Sequence, residues 1–502
     1  MPMQLFFSNT IEALSRSLAD EISQHRDPFC PVTIIVPNPY IRNWIQMKIA
    51  ERNGITMNLN FHVLNDGLKK MLDCCTSHDE KPSLLEQNDI QLLLYHALTS
   101  IDHESSPVRL IRDYLYAGAH IKKEDYDHKL FQLSSRLSRY FIEYELFREE
   151  MVKSWMNGRL TLDTEMESAQ QHLYHAIFKK NGYRDSINKN WLTLPQYFNR
   201  SILKHPQGVS QKFIIFGESH LSPFHARLLF ELGTYLTISL YQINPCSEFW
   251  EDITTPAEDR WQRIRSIQIE KTPDGDSLRY NENENPLLKL WGKTGRETMK
   301  LLSLIEDAGS REQRCTSEWI SSDRSPAEPT VLGIVQDQIL RRTTMNESSA
   351  RISQDTSIQV ASCPELFREV ESVYNSILHN LEYNASLKMT DIAVMVPDME
   401  LYGPVIHSVF SREPRRLTYS LIDSTAAADS LFSRAVLSLF EIATGSFTRK
   451  EISGLLRNPC FYEAHAMTLS DVLIWLDWAD NLNIFREFKK SDDPDPARNM
   501  HT

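Results

Sequence analysis

The sequence predicts an α/β protein built from two strand-and-helix units, with a helical block inserted in the first. Three observations carry this. "VTIIVPN" (32–38) holds five β-branched residues and is stopped by Pro37, which reads as a buried strand. A strand, helix, strand pattern returns at "KFIIFG" (212–217), "PFHARLLFELG" and "LTISLYQINP" (236–245). Between these stretches, residues 84–204 show helical periodicity only.

Taken in order, "QLFFSN" (4–9) is a short apolar run ending in a polar turn, and Ile11 to Ile22 carries apolar residues at helical spacing. After the strand at 32–38, Tyr40 to Arg52 reads as a helix. Ile41, Trp44, Ile45, Lys48 and Ile49 share one face, and Gly54 terminates it. The helical block contains "LLEQNDIQLLLYHALTSI", "KLFQLSSRLSRYFIEYELFRE" (129–149) and "AQQHLYHAIFKKNGY". A further helix is predicted over Leu287 to Asp307, followed by a polar connection. The second unit starts with "SIQVASCPELFREVESVYNSIL" and "TDIAVMVPD", with "LTYSLID" as a third strand. Helices follow over Leu431–Thr444, Thr448–Leu456 and Ser470–Asn481, and then a polar tail, "KKSDDPDPARNMHT". The expected domains are therefore 1–83 with 205–307, the insertion 84–204, a linker 308–350, and a second α/β unit from 351 to 502.

Composition narrows the function. The chain has 502 residues, 41% of them hydrophobic, with a formal net charge of −13. That charge excludes a protein that coats nucleic acid with its whole surface, because neutralising phosphates requires clustered Lys and Arg. Nucleic-acid contact would have to be confined to a groove. No run of eighteen apolar residues occurs and the N-terminus lacks the pattern of a signal peptide, so a cytoplasmic location without membrane contact is expected. Seven cysteines without a Cys-x-x-Cys pair speak against a disulfide framework and a zinc site alike.

Two motifs imitate catalytic ones. Gly292-Lys293-Thr294 has the ending of a phosphate loop, but a phosphate loop needs a glycine where Leu287 stands, after a strand. The apolar spacing of "NPLLKLW" instead puts the tripeptide in a helix. In "FIIFGESHLSP", Ser219 stands at a strand-to-helix turn like a nucleophile elbow, yet the closing glycine is replaced by Leu221. Ser and His serve commonly as caps and turn formers at such places; a serine hydrolase at Ser219 is kept as the alternative from another class. The histidines are dispersed and show no metal-binding spacing. No catalytic residue, cofactor or metal is assigned to this chain.

The helix at 129–149 differs in kind. Leu130, Leu133, Leu137, Phe141 and Tyr144 recur at core spacing, while Lys129, Arg136, Arg139 and Arg148 are basic, with Tyr140 and Phe147 beside them. Basic and aromatic side chains on one face suit a single-strand channel. An ordinary solvated charged face gives the same pattern.

Several stretches together resemble one family: "FFSN", "DPF" (27–29), "IIVPNPYIRNWIQMKIAERNGI" (34–55), "KLFQLSS" (129–135), "FIIFGESHLSP", "NPCSEFWEDI" (244–253), "NPLLKLWGKTGRE", and "SCPELFREVE" followed by "DIAVMVPDMELYGPVI". In this order they resemble RecC, the gamma subunit of exodeoxyribonuclease V, the RecBCD helicase-nuclease. The resemblance implies two helicase-like α/β domains (superfamily 1, UvrD/Rep-like, the P-loop type) that lack nucleotide motifs and carry a helical insertion. It also implies a non-motor DNA-channel and Chi-scanning subunit in recombinational repair of double-strand breaks, within a heterotrimer with RecB-like and RecD-like subunits. ATP and Mg²⁺ would then belong to those partners, and single- and double-stranded DNA would be the ligands.

Carried over residue by residue, the scanning surface spans Pro37 to Asn43, the stretch Val63 to Lys69 and the helix face Arg139 to Arg148. The candidate DNA-binding residues are Asn38, Asn43, Trp44, Gln46, Lys69, Arg136, Arg139, Tyr140 and Arg148. Trp44, Gln46 and Arg148 match the family pattern, whereas Pro37, Pro39, Asn43, Lys69, Arg139 and Ile142 depart from it. Base readout needs particular donors and acceptors, so it is more exposed to such departures than stacking and phosphate contact. Family members run to roughly twice this length, so the second α/β unit is expected to be incomplete. A scaffold that only holds a motor partner is the runner-up.

Overall fold

The computed structural model describes residues 3–24, 30–76, 81–100, 106–116, 123–206, 212–255, 257–258, 260, 284–308, 314–320, 330–344, 355–412, 416–422, 430–444 and 448–482. "DPF" at 27–29 and the polar tail lie outside the described residues. Two compact units are present, residues 1–358 and 359–502.

The first unit is α/β. Strands β1 (Gln4–Ser8), β2 (Val32–Ile35) and β3 (Leu59–His62) alternate with helices α1 (Ile11–Ser23), α2 (Pro39–Asn53) and α3 (Leu64–Cys75). Asn38 caps α2 by accepting from the N–H groups of Tyr40 and Ile41, and Gly54 stops it at φ +77°, a conformation without penalty only for glycine. A block of helices follows around a short two-stranded ladder of β4 (Ser83–Leu84) and β5 (Trp191–Leu192). Its helices are α4 (Gln87–Ser100), α5 (Arg109–Leu115), α6 (Lys123–Phe147), α7 (Glu149–Met156), α8 (Glu165–Phe178), α9 (Tyr183–Ile187) and α10 (Leu194–Arg200). The sheet resumes with β6 (Lys212–Phe216), α11 (Pro223–Gly233) and β7 (Thr237–Ile243). It ends with α12 (Pro286–Trp291), α13 (Lys293–Ala308), β8 (Arg314–Glu318) and α14 (Val331–Leu340).

All six long strands are parallel, in the order β3-β2-β6-β7-β1-β8. Helices therefore cover both faces. On one face α1 and α2 bury Leu14, Leu18, Ile45 and Ile49 against Ile34, Ile214, Phe216 and Tyr241. On the other, α3, α11 and α13 pack Leu68, Leu72, Leu228, Leu232 and Leu302 against Ile35, Ile215 and Leu240. The helical block has a separate core around Leu94, Leu130, Phe141, Trp155, Leu173 and Ile177.

Four expectations differ from the structure. Residues 308–350, read as a linker, contribute β8, which pairs with β1, and α14, whose Ile339 packs on the sheet core. A polar sequence suffices for β8 because an edge strand gains from its ladder hydrogen bonds rather than from burial. The short strand β3, which no local pattern predicts, pairs with β2. The helix over 287–307 is broken at Gly292, where an added Cβ would strike the Leu288 carbonyl oxygen and the Trp250 ring. Gly292-Lys293-Thr294 thus marks a helix junction packed on Trp250, with the Gly292 N–H bonded to Leu288 O at 3.1 Å.

The second unit departs furthest. Its helices α15 (Leu366–Tyr383) and α16 (Met399–Phe410) pair around Val370, Ile377, Ile406, Val409 and Phe410. They are followed by α17 (Leu431–Thr444), α18 (Arg449–Leu456), α19 (Pro459–Ala464) and α20 (Leu469–Asn481). The three strands expected here form no ladder among the described residues. Leu417, Tyr419, Ile392 and Val396 still seat on the helices, which satisfies the apolar alternation, while Met395 is 91% exposed. Alternation predicts burial of one face; a strand also needs a neighbour about 4.8 Å away to pair its backbone.

Candidate nucleic-acid interface

β2 and β6 are neighbours, with Ile35 opposite Ile215, so the chain leaves both strands at the same sheet edge. That is the carboxyl edge, where open parallel sheets bind ligands. From β2 it leads through Pro37 and Asn38 into α2. From β6 it leads through Gly217 to Ser222 into α11, capped by a reciprocal pair of bonds between Ser222 and His225. The Phe147 ring at the end of α6 lies 5.7 Å from the His220 ring, which brings the helical block to this edge.

On α6, Arg136, Arg139, Tyr140, Phe147 and the adjoining Arg148 are exposed. The helical phase that buries Leu130, Leu137 and Phe141 turns Arg136, Arg139, Tyr140 and Phe147 outward, whereas Arg148 is exposed because it stands past the end of α6, as the N-cap of α7. Arg136 and Arg139 make no ion pair among the described residues. Arg148 lies 5.6 Å over the Tyr144 ring, which in turn stacks with Tyr140 at 6.3 Å. Glu143 shares the face and tempers its charge. Two or more cations beside the exposed rings of Tyr140 and Phe147 can hold phosphates and stack bases.

The other candidates divide. Asn38 and Asn43 are exposed at the start of α2, although the Asn38 Oδ1 is committed to its cap. Trp44 is partly buried against Phe216, with centroids 6.5 Å apart, and belongs to the sheet core. Gln46 is half-buried. Lys69 lies on α3, on the opposite sheet face from α2, and is tied to Asp73 at 2.7 Å, which also accepts the Tyr197 hydroxyl at 2.8 Å. Two residues missing from the sequence reading belong to the edge: Arg42, exposed 5.6 Å over the Phe61 ring, and His220. The spacing of Arg42 from Asn38 on one helical turn was the available signal.

The imitations resolve structurally. Ser219 is exposed and its hydroxyl makes no hydrogen bond among the described residues, while His220 rests on Phe147 and His225 serves the α11 cap. The loop after β1 is clamped: Asn9 donates to Ile320 O at 2.7 Å and accepts from its N–H at 2.9 Å. Among the described residues no three His, Cys, Asp or Glu side chains converge as a metal would require. No described helix is long and apolar enough to cross a membrane.

Glu218, 7% exposed beside this edge, has an oxygen without a hydrogen-bond partner, and burial pushes its carboxyl up to about 7. The unfolded chain releases that proton near pH 4.5 and the folded chain near 7, so stability contributed here falls as pH rises through that window. Glu218→Gln is expected to leave the melting temperature unchanged at pH 4 and to raise it at pH 8. Equal melting of the two proteins at pH 8 would show that the carboxylate is solvated.

A model of the RecC N-terminal domain matches residues 3–342. RecBCD enzyme subunit RecC of Escherichia coli (strain K12) is 26% identical over 518 residues, covering 96% of this chain and 45% of that protein. The protein of the same name from Haemophilus influenzae is 23% identical over 546 residues (97% and 47%), and that from Mycolicibacterium smegmatis 21% over 505 residues (96% and 43%). The chain spans a little under half the length of these curated relatives. A family match over about two thirds of the residues shows that the chain belongs to the RecC family.

Proposed function

We propose that this chain is a non-motor, DNA-contacting subunit of a RecBCD-type helicase-nuclease in double-strand-break repair, guiding a single strand along the carboxyl edge of its first unit. In this reading the first unit is a superfamily 1 helicase fold that has lost its engine. The motor and nuclease activities, with ATP and Mg²⁺, belong to RecB-like and RecD-like partners, and the chain works in the cytoplasm. The observation that carries the reading is the exposed basic and aromatic face of α6, with Arg136, Arg139, Tyr140 and Arg148 meeting the β6 loop through Phe147 and His220. Stacking and phosphate contact hold a strand with little regard to sequence. Scanning for a Chi-like signal would add base readout from Arg42 and Asn43, whose side chains are exposed at the same edge. The Asn9 clamp supports a passive role, since it occupies the loop after the first strand with side-chain bonds to the backbone at Ile320.

A scaffold reading has one observation in its favour: α20 exposes Leu473, Trp475 and Trp478, and α17 exposes Phe432 and Leu439, apolar surface suited to a protein partner. Photocrosslinking separates the two. A 3′-tailed duplex bearing a photoreactive tail, bound to the assembled complex, should label peptides from α6 and the α2 N-terminus. Labelling confined to the partner chains would leave only the scaffold.

A further inference from the structure

The exposed stripe of α6 does not end at Arg136. Gln132 and Lys129 stand one and two turns further back on it, at the three- and four-residue spacing that also relates Arg136, Tyr140, Glu143 and Phe147. Gln132 is exposed and Lys129 half-buried. At this far end α5 comes alongside. The Lys129 ammonium lies 5.9 Å from the centre of the Tyr114 ring, and Tyr114 is 47% exposed, which leaves room for a base on the ring. Tyr116, also exposed, rests 5.3 Å from Tyr126, one turn before Lys129 on α6.

The rings of α5 therefore continue a row rather than start a separate patch. Tyr126, Tyr140, Tyr144 and Phe147 recur along one side of α6, and Tyr114 and Tyr116 are set against the beginning of that side. Charge changes sign at the same place. Asp113 takes up Arg112 at 3.1 Å and Arg109 at 3.8 Å, and Asp125 is exposed on the stripe one turn before Lys129, where it repels a phosphate carried further. Length follows from the helix. Lys129 to Phe147 rises about 27 Å at 1.5 Å per residue. Stacked bases rise about 3.4 Å each, so this stretch takes about eight nucleotides, against about five from Arg136 to Phe147.

We propose that Tyr114 and Lys129 form a second contact point for a single strand, the ring stacking a base and the ammonium holding a phosphate, at the end of α6 away from the sheet edge. This rests on the reading of α6 as a strand path and gives that path a length and a far end. One face of the Tyr114 ring carries the ammonium, so a base on the ring and a phosphate on Lys129 belong to neighbouring nucleotides.

Filter binding of an oligothymidylate of about twelve nucleotides, longer than the stripe, tests this on the full chain. Tyr114→Ala is expected to weaken binding about tenfold without changing the salt slope, the size of one lost base stack. Tyr114→Phe keeps the ring and should bind as the parent does. Lys129→Ala should lower the slope of log affinity against log salt by about 1. The melting temperature reports whether Tyr114→Ala stays folded, and Lys129→Ala, altered on a different helix, keeps the test valid if it does not. Unchanged affinity in Tyr114→Ala and an unchanged slope in Lys129→Ala, with binding still lost when Arg136, Arg139 and Arg148 become glutamate, overturns the second contact and leaves the rest of the α6 path standing. In that case Tyr114 and Tyr116 are rings for a protein surface. No loss in the arginine variant removes the path and this contact with it.

Discussion

Trp155→Ala is expected to destabilise the helical block by about 3–5 kcal/mol, the range found for emptying a fully buried aromatic site. The indole is 1% exposed, lies edge-on to Tyr144 at 5.7 Å and to Tyr174 at 5.9 Å, and donates from Nε1 to Glu167 at 2.8 Å. Its own carbonyl bonds a ring nitrogen of His175 at 2.6 Å. Removing it opens a cavity among aromatic rings that cannot collapse, because each is also held by its own hydrogen bond: Tyr144 to Gln170 and Tyr174 to Glu145. Trp155→Phe retains most of the volume and removes the donor. It should cost about 1–3 kcal/mol, since Glu167 keeps the N–H groups of Thr161, Leu162 and Asp163. Hydrogen exchange of α8 amides reads both values without requiring the whole chain to unfold in one step. A loss under about 1 kcal/mol for the alanine variant would mean that the block is loosely packed.

Glu167 adds a pH signature. Burial pulls its carboxyl up, but the Trp155 indole and the three backbone donors together outweigh burial and hold it below the usual range. A depressed folded value contributes stability that is present above the unfolded value and lost as pH falls through the folded one. The block should therefore loosen in acid, in the opposite sense to Glu218.

Much of this was legible where local pattern and tertiary role coincide. The β-branched run at 32–35, the Asn38 cap and Gly54 stop of α2, and the core phase of α6 all appear where the residues dictate them. Arg136, Arg139 and Tyr140 fall outward because Leu130, Leu137 and Phe141 must point in, whereas Arg148 is exposed because α6 ends at Phe147. What escaped depends on distant partners. The pattern around Trp44 cannot say that its ring faces Phe216, a residue on a strand far along the chain. Lys69 reads as a free cation until Asp73 and Tyr197 are seen beside it. β8 and β3 carry weak local signals and exist because β1 and β2 offer open ladders. Conversely, the three apolar runs of the second unit have strand composition and no ladder among the described residues.

Replacing Arg136, Arg139 and Arg148 together by glutamate is expected to weaken single-strand binding by roughly a hundredfold or more at moderate salt, at about 1 kcal/mol for each phosphate that is no longer held, with added repulsion from the new charges. These side chains are exposed, and Arg136 and Arg139 make no ion pair among the described residues, so the change leaves no buried charge behind and the fold should persist. The slope of log affinity against log salt should fall by about 3, one for each phosphate that is no longer neutralised. Tyr140→Ala separates stacking from charge: affinity should fall by about 1–3 kcal/mol while the salt slope stays as it was. Filter binding of an oligonucleotide across a salt series measures both. An unchanged slope in the triple variant would remove α6 from the strand path. Under the proposed function, the net charge of −13 would then leave partner surfaces as the place where phosphates are neutralised.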